Sequence, residues 1–300
     1  MQKSIVFGAN GYLGRHLVHF LNQHNHQVLS TGSNHQSIDN HQNYIQADTT
    51  NQTDIENINF DVDYIFVFVG LTGTSAGFDQ YRQFTETNEI SLLNILIHHR
   101  KSNSKARIVF PSSRLVYKGL TDVFLEEEAE KEALTVYAQN KLSCENYLRM
   151  YAHNFNINHT IFRICVPYGN TLSNDYSYGT IGFFLNKAKK KENITLYGEG
   201  NVKRTFTHVE DICESIIKTL SSPKSVNNTY NIGSKDNLSL LETAKLIADK
   251  YDIGIDFIKW PESALKIESG DTLFSDKKIL NDTNYQYKHT LKNWINQLTI

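Results

Sequence analysis

The sequence predicts an α/β protein: a doubly wound parallel sheet with a smaller, interleaved C-terminal lobe. Three observations predict it. Short β-branched and aromatic runs alternate with segments of helical apolar spacing over the first 165 residues, a glycine triplet follows the first such run, and the rhythm changes after Pro167. The 300 residues, 40% of them hydrophobic, suffice for one large domain or two intimate ones.

The first run, Ser4-Ile-Val-Phe7, ends in Gly8, and Leu13, Leu17, Val18 and Leu21 then follow a helical stripe. Strands are expected over Gln27–Thr31, Tyr44–Ala47 and Tyr64–Val69, and a helix near Gln80–His99. A strand over Ala106–Pro111, a helix over Val136–His153 and a strand over His159–Ile164 complete the alternation. Strands separated by helices imply right-handed crossovers and a sheet covered on both faces. Beyond Pro167 come a Gly/Asn/Ser/Tyr-rich stretch to Gly182, a helix to about Lys191 and shorter elements. With four prolines and no linker-like run, two interleaved lobes are expected. Residues 1–165, with a return segment at about 209–233, would form the large sheet, and 166–208 with 234–300 the smaller lobe.

Composition excludes several classes. Thirty Lys plus Arg against thirty-two Asp plus Glu leave a net charge of −2, so nothing in the overall balance draws the chain to nucleic acid or to a membrane. The longest apolar run, Tyr64–Val69, is far shorter than the roughly 20 residues that cross a bilayer. The first strand begins too early for a signal peptide, and Cys144, Cys165 and Cys213 are odd in number and widely spaced. A reducing cytoplasm is the expected location. His24 with His26 and His98 with His99 lack companions at ligand spacing, so no metal is expected.

Gly8-Ala-Asn-Gly11-Tyr-Leu-Gly14 places three glycines at three-residue intervals between the first strand and first helix. A dinucleotide needs that arrangement: a tight turn, close backbone approach to the pyrophosphate, and close packing of helix on sheet. Gly8, Asn10, Gly11, Tyr12, Leu13 and Gly14 are therefore expected at the cofactor. The second strand ends in Leu29-Ser-Thr-Gly32-Ser33-Asn34 without the acid that binds the ribose hydroxyls of NAD. NAD and NADP both remain open, with the balance towards NADP and Arg15 the nearest guanidinium. Ser33, Asp48 and Thr49 stand at strand ends where an adenosine would lie, Asp48 either accepting from the adenine amino group or closing a surface turn.

Tyr137-Ala-Gln-Asn-Lys141 sets a phenol and an ammonium on one helical face, and Pro111-Ser112-Ser113 ends the preceding strand, where open α/β sheets bind ligands.

With these pieces in order, the chain resembles the extended short-chain dehydrogenases/reductases of the nucleotide-sugar, NAD-dependent epimerase/dehydratase family, built on a Rossmann-type sheet. The resemblance runs over nearly the whole length. It rests on the glycine motif, Asp48, Asn88 in Thr87-Asn-Glu-Ile-Ser-Leu-Leu-Asn94, Ser112-Ser-Arg-Leu-Val-Tyr117, Tyr137 with Lys141, and Arg163-Ile-Cys-Val-Pro-Tyr-Gly169. Leu196-Tyr-Gly-Glu-Gly200, Arg204-Thr-Phe-Thr-His-Val-Glu-Asp211 and Tyr230-Asn-Ile-Gly-Ser234 complete it.

The resemblance implies that Tyr137 is the acid/base for a sugar hydroxyl, that Lys141 holds the nicotinamide ribose, and that Ser113, with Ser112 ranked second, bonds the reacting oxygen. It also implies cofactor contacts from Asn88, Ser112, Tyr137, Lys141 and Val166. Lowering a phenol from about 10 by about 3 pH units requires roughly 4 kcal/mol, which Lys141 and a positive nicotinamide would supply. Arg204 would bind the diphosphate of a nucleoside diphosphate sugar, with Ser113, Arg114, Tyr168 and Lys266 also at the substrate, and residues 167–182 would line the pockets.

Two departures stand out. Val166 replaces a common asparagine, and Glu268 stands near the place of an arginine before Gly270-Asp271. Arg114-Leu115 replaces the Asp-Glu that follows the serine or threonine in sugar 4,6-dehydratases, which disfavours dehydration. A 4-epimerase of the UDP-glucose 4-epimerase type is then expected, with a 4-ketoreductase acting on 4-keto-6-deoxyhexoses as the alternative and a non-catalytic NADP sensor or scaffold as a reading from another class. The helix carrying Ile90, Leu92, Leu93, Ile95, Leu96 and Ile97 is apolar almost all round, and relatives pair this helix and the tyrosine helix in a homodimer, so a homodimer is expected.

Overall fold

The computed structural model describes residues 1–173, 176 and 178–299. The first half runs β1 (Lys3–Phe7), α1 (Tyr12–Gln23), β2 (Gln27–Gly32), β3 (Tyr44–Gln46), α2 (Gln52–Glu56), β4 (Tyr64–Val67), α3 (Ala76–Asp79), α4 (Tyr81–Thr85), α5 (Ser91–Lys101), β5 (Arg107–Ser113), β6 (Phe124–Leu125) and α6 (Val136–Phe155). The second half runs β7 (His159–Ile164), β8 (Val166–Tyr168), α7 (Gly179–Lys189), β9 (Ile194–Tyr197), β10 (Lys203–His208), α8 (Val209–Leu220), β11 (Asn228–Ile232), β12 (Asp236–Ser239), α9 (Leu240–Tyr251), β13 (Ile255–Ile258), α10 (Glu262–Leu265), β14 (Leu273–Phe274), α11 (Lys277–Thr283) and α12 (Leu291–Gln297).

Among the described residues, seven strands make one parallel sheet in the order β11-β7-β5-β4-β1-β2-β3. Alternation explains why both faces are covered. Val6, Phe66, Val109 and Phe162 point into a core with Leu17 and Leu21 of α1 and Ile212 and Ile216 of α8. Their strand neighbours Ile5, Ile65, Ile108 and Ile161 point the other way, into a core with Leu92, Ile95 and Leu96 of α5 and Cys144 and Leu148 of α6. Burying each such side chain contributes about 1.5–3 kcal/mol.

A π turn over Glu86–Ile90 joins α4 to α5, so the helix expected near 80–99 is a helical run from Tyr81 to Lys101 with its bulge at Asn88. The five-residue α2 was not expected; it buries only Ile55. The C-terminal elements build a separate core of Tyr168, Ile181, Phe184, Phe206, Ala244, Ile247 and Trp294, with β12-β10-β8 as its sheet.

Two segments return to the large sheet. β11 pairs with β7, and Ile279, Tyr285 and Tyr287 pack beside Leu17 and Ile212. Placing all of 234–300 in the C-terminal lobe therefore needs correction. The apolar side chains near 279–287 fill the groove beside α8 on the large sheet. Among the described residues no helix is long and apolar enough to cross a membrane, and the three cysteines are free and buried.

Candidate active site

β1 and β4 are neighbours, and the strand order runs away from them in opposite directions. Crossovers diverge at such a switch point and leave a crevice at the carboxyl ends of the strands. The glycine turn lies there. Gly8 adopts φ +84°, and a Cβ on it would lie 2.6 Å from the Phe68 carbonyl carbon. A Cβ on Gly14 would lie 2.1 Å from the Gly8 oxygen. Gly11 caps α1 without a side-chain hydrogen bond, leaving the helix's first N–H groups for an anion. This cradle fits a dinucleotide's pyrophosphate.

A cleft of about 490 Å³ opens from it, lined by Gly11, Leu13, Gly70, Ser113, Tyr137 and Lys141 among others. Thr135 caps α6 by accepting from the Ala138 N–H, and α6 carries Tyr137 and Lys141 to the end of β5. The Ser113 hydroxyl accepts from the Leu115 N–H at 3.2 Å and lies within hydrogen-bond reach of the Tyr137 hydroxyl. The Lys141 ammonium donates to the Pro111 carbonyl at 2.7 Å.

Burial, aided by Tyr178, pushes the Tyr137 phenol above its ordinary value, although Ser113 and Arg114 act the other way. Burial pushes Lys141 down to about 8. The Lys141 ammonium is directed to Pro111 and lies 5.8 Å from the phenol ring centre.

The expected cofactor residues divide. Asn10 holds the loop after β2, donating to the Gln36 carbonyl and the Tyr44 hydroxyl and accepting from the Ile38 N–H. Tyr12 stacks on Tyr178 at 4.4 Å and donates to the Gly169 carbonyl. Asp48 is exposed, with one carboxylate oxygen accepting from Thr50, and Ser33 is exposed as well. Val166 lines the cleft.

Three of the expected cofactor side chains are occupied elsewhere. Thr49 turns inward and donates to Ser91. The Asn88 amide holds the backbone of Leu71 and donates to Asn140. Ser112 donates to Glu145 at 2.6 Å. Arg15, the guanidinium nearest the expected NADP phosphate, is held by Asp39 through two bonds of 2.7 and 2.6 Å and is not a free cation.

At the substrate end, a second cleft of about 340 Å³ contains Tyr197, Arg204, Trp260 and Glu268. It shares Thr74, Arg114, Leu115, Val166 and Thr180 with the first. Arg204 is buried, and its guanidinium donates to Glu268, to the Gly270 carbonyl and to the Lys203 carbonyl. Arg204 is thus not the free diphosphate ligand that was expected.

Tyr168 is fully buried, packs on His208 and Trp294, and donates to Asp236, so it belongs to the lobe core and not to the substrate surface. Lys266 is exposed and pairs with Glu262 one turn away, outside both clefts. Of the stretch 167–182, Pro167, Tyr178, Gly179 and Thr180 line the first cleft, whereas 174, 175 and 177 lie outside the described residues.

Glu145 was missed altogether. It is fully buried, receives Ser112 and takes two bonds from Arg163, which also donates to Tyr117. This network ties the ends of β5 and β7 to the tyrosine helix. Asp39 was also missed, since it meets Arg15 of α1 from beyond β2, 24 residues along the chain.

His208, Glu210 and His289 bring ligand atoms within 4.8 Å of one another. The two imidazoles stack at 4.0 Å and 29°, so their lone pairs run side by side and do not converge on one ion.

Comparison with known proteins agrees with this geometry. The family model described as the NAD dependent epimerase/dehydratase family matches residues 4–233. CDP-paratose 2-epimerase of Salmonella typhi is 24% identical, over 99% of this chain and 98% of its own. A putative UDP-glucose 4-epimerase of Methanocaldococcus jannaschii is 27% identical, over 83% of this chain and 82% of its own. The solved UDP-glucose 4-epimerase of Thermotoga maritima, holding UDP-glucose, superposes with a TM-score of 0.86 at 19% identity, covering 99% of this chain and 97% of that one. The chain belongs to the NAD-dependent epimerase/dehydratase family and is an enzyme of the extended short-chain dehydrogenase/reductase type.

Proposed function

We propose that the protein is a nucleotide-sugar 4-epimerase acting on C4 of a nucleoside diphosphate hexose. The observation that carries the reading is the meeting of Ser113, Tyr137 and Lys141 beside a glycine cradle, in a cleft continuous with a second one. A nicotinamide dinucleotide on the cradle would supply hydride exchange with C4. Ser113 holds the C4 oxygen, and Tyr137 takes its proton as the phenolate when the carbon is oxidised and returns it as the phenol on reduction. Lys141, fixed by Pro111, orients the ribose and places positive charge near the phenol. Pyrophosphate rests on Gly8 to Gly14, and the aromatic pair Tyr197 and Trp260, 5.2 Å apart, offers a wall for a nucleobase. The residues around 1–165 and 209–233 hold the cofactor in this reading, and the C-terminal lobe holds the sugar nucleotide.

The pairing of Arg15 with Asp39 favours NAD over NADP. Leu93 and Ile97 stay half-buried and Ile90 is 38% exposed on the helical run preceding β5, which supports a homodimer through that face. Denaturing the purified enzyme tests the reaction class. Release of stoichiometric oxidised cofactor is the expected result. Protein that comes free of cofactor and consumes NAD(P)H with a 4-keto sugar nucleotide would contradict epimerisation and establish a 4-ketoreductase instead.

A further inference from the structure

Arg204 and Arg114 both end on the segment 268–272, but in different company. Arg204 is neutralised there by Glu268. Arg114 extends from the end of β5, where its Nη1 donates to Ser269 Oγ at 3.1 Å and lies 3.5 Å from Thr272 Oγ1. Among the described residues it makes no ion pair with a carboxylate, in contrast to Arg15, Arg163 and Arg204, although the Glu268 charge acts on it from a distance. It is half-buried at the junction of the two clefts, with Thr74 and Thr180 also lining both. Burial and the like charge of Arg204 lower its pKa to about 10, which leaves it charged at neutral pH. A desolvated guanidinium with most of its five donors unspent is a receptor for an oxyanion.

We propose that Arg114 is the anion receptor of the substrate cleft, taking an oxyanion of the sugar nucleotide at the junction while Glu268 holds Arg204 out of that role. This rests on the nucleotide-sugar reading above and names the group that the site selects. The oxyanion is either the diphosphate or a carboxylate on the sugar, because both offer paired oxygens to a planar fork.

The test is calorimetric titration of NAD-loaded protein with inorganic pyrophosphate, UDP, CDP, dTDP, UDP-glucose and UDP-glucuronate. Arg114→Gln is expected to weaken anion binding roughly tenfold to a hundredfold, as for a lost charge-assisted bond, with Arg114→Lys recovering part of it. Loss for pyrophosphate and all nucleotides alike identifies the diphosphate. Loss confined to UDP-glucuronate identifies a sugar carboxylate. Glu268→Gln, a second variant that does not depend on Arg114→Gln folding, is expected to tighten pyrophosphate binding several-fold. Unchanged affinities in Arg114→Gln overturn the proposal, and unchanged affinities in Glu268→Gln overturn the part assigned to Glu268. Pyrophosphate binding that depends on Arg114, in a protein that binds no nucleotide, sinks the nucleotide-sugar reading and leaves the anion receptor standing.

Discussion

Lys141 lies one turn of α6 beyond Tyr137, with its ammonium 5.8 Å from the centre of the phenol ring and donating to the Pro111 carbonyl. Burial leaves that ammonium with a pKa of about 8. The charge that orients the cofactor ribose in the proposed mechanism is therefore present below about pH 8 and lost above it. Turnover should fall as pH rises through that value. In Lys141→Arg, whose guanidinium keeps its proton, any residual activity should lack that descending limb. A pH profile of kcat in both proteins checks this.

Glu145 and Arg163 form a buried ion pair at 2.6 Å. Removing one partner strands the other, so Glu145→Ala should cost about 3–5 kcal/mol in urea unfolding. Burial pushes the Glu145 carboxyl up, but the bonds and charge of Arg163 outweigh it and the net shift is downward. A carboxyl depressed in the folded state adds stability above its unfolded value. That stability is lost as pH falls through the folded one. The stability difference between wild type and Glu145→Ala should shrink in acid and hold at neutral pH.

Arg15 is engaged by Asp39, and releasing it should create the cation that a 2′-phosphate needs. Asp39→Asn is expected to raise affinity for NADP relative to NAD by about tenfold, the scale of one charge-assisted bond. Fluorescence titration with NADH and NADPH measures the ratio.

A Cβ on Gly14 would lie 2.1 Å from the Gly8 oxygen. Gly14→Ala must open the turn, because neither backbone can yield separately. Loss of NADH binding by more than about tenfold is expected, with a thermal melt reporting the accompanying loss of stability.

What could be read from the sequence was mostly local. The strand His159–Ile164 was expected residue for residue, because Thr160, Ile161, Phe162 and Ile164 supply the β-branched and aromatic side chains that strands favour. The glycine turn was legible because its three positions lie within one turn and its helix. The short α2 offered only Ile55 as an apolar signal, too little for periodicity. The fate of charged side chains was not legible at all: Arg15 meets Asp39 across 24 residues, and Arg204 meets Glu268 across 64. Tyr168 was misplaced because its motif names the strand but not which face of β8 the side chain takes. Such pairings are set by tertiary packing, which spacing along the chain does not encode.

The account's central claim is that Tyr137 moves the proton of a sugar hydroxyl. Its most direct test is turnover of UDP-, CDP- and dTDP-hexoses by wild type and Tyr137→Phe, with binding of NAD and of the accepted nucleotide sugar measured in parallel. The account predicts that Tyr137→Phe binds both ligands as wild type does and loses at least about a hundredfold in kcat, the scale of a missing general acid/base. Equal turnover in the two proteins would contradict it.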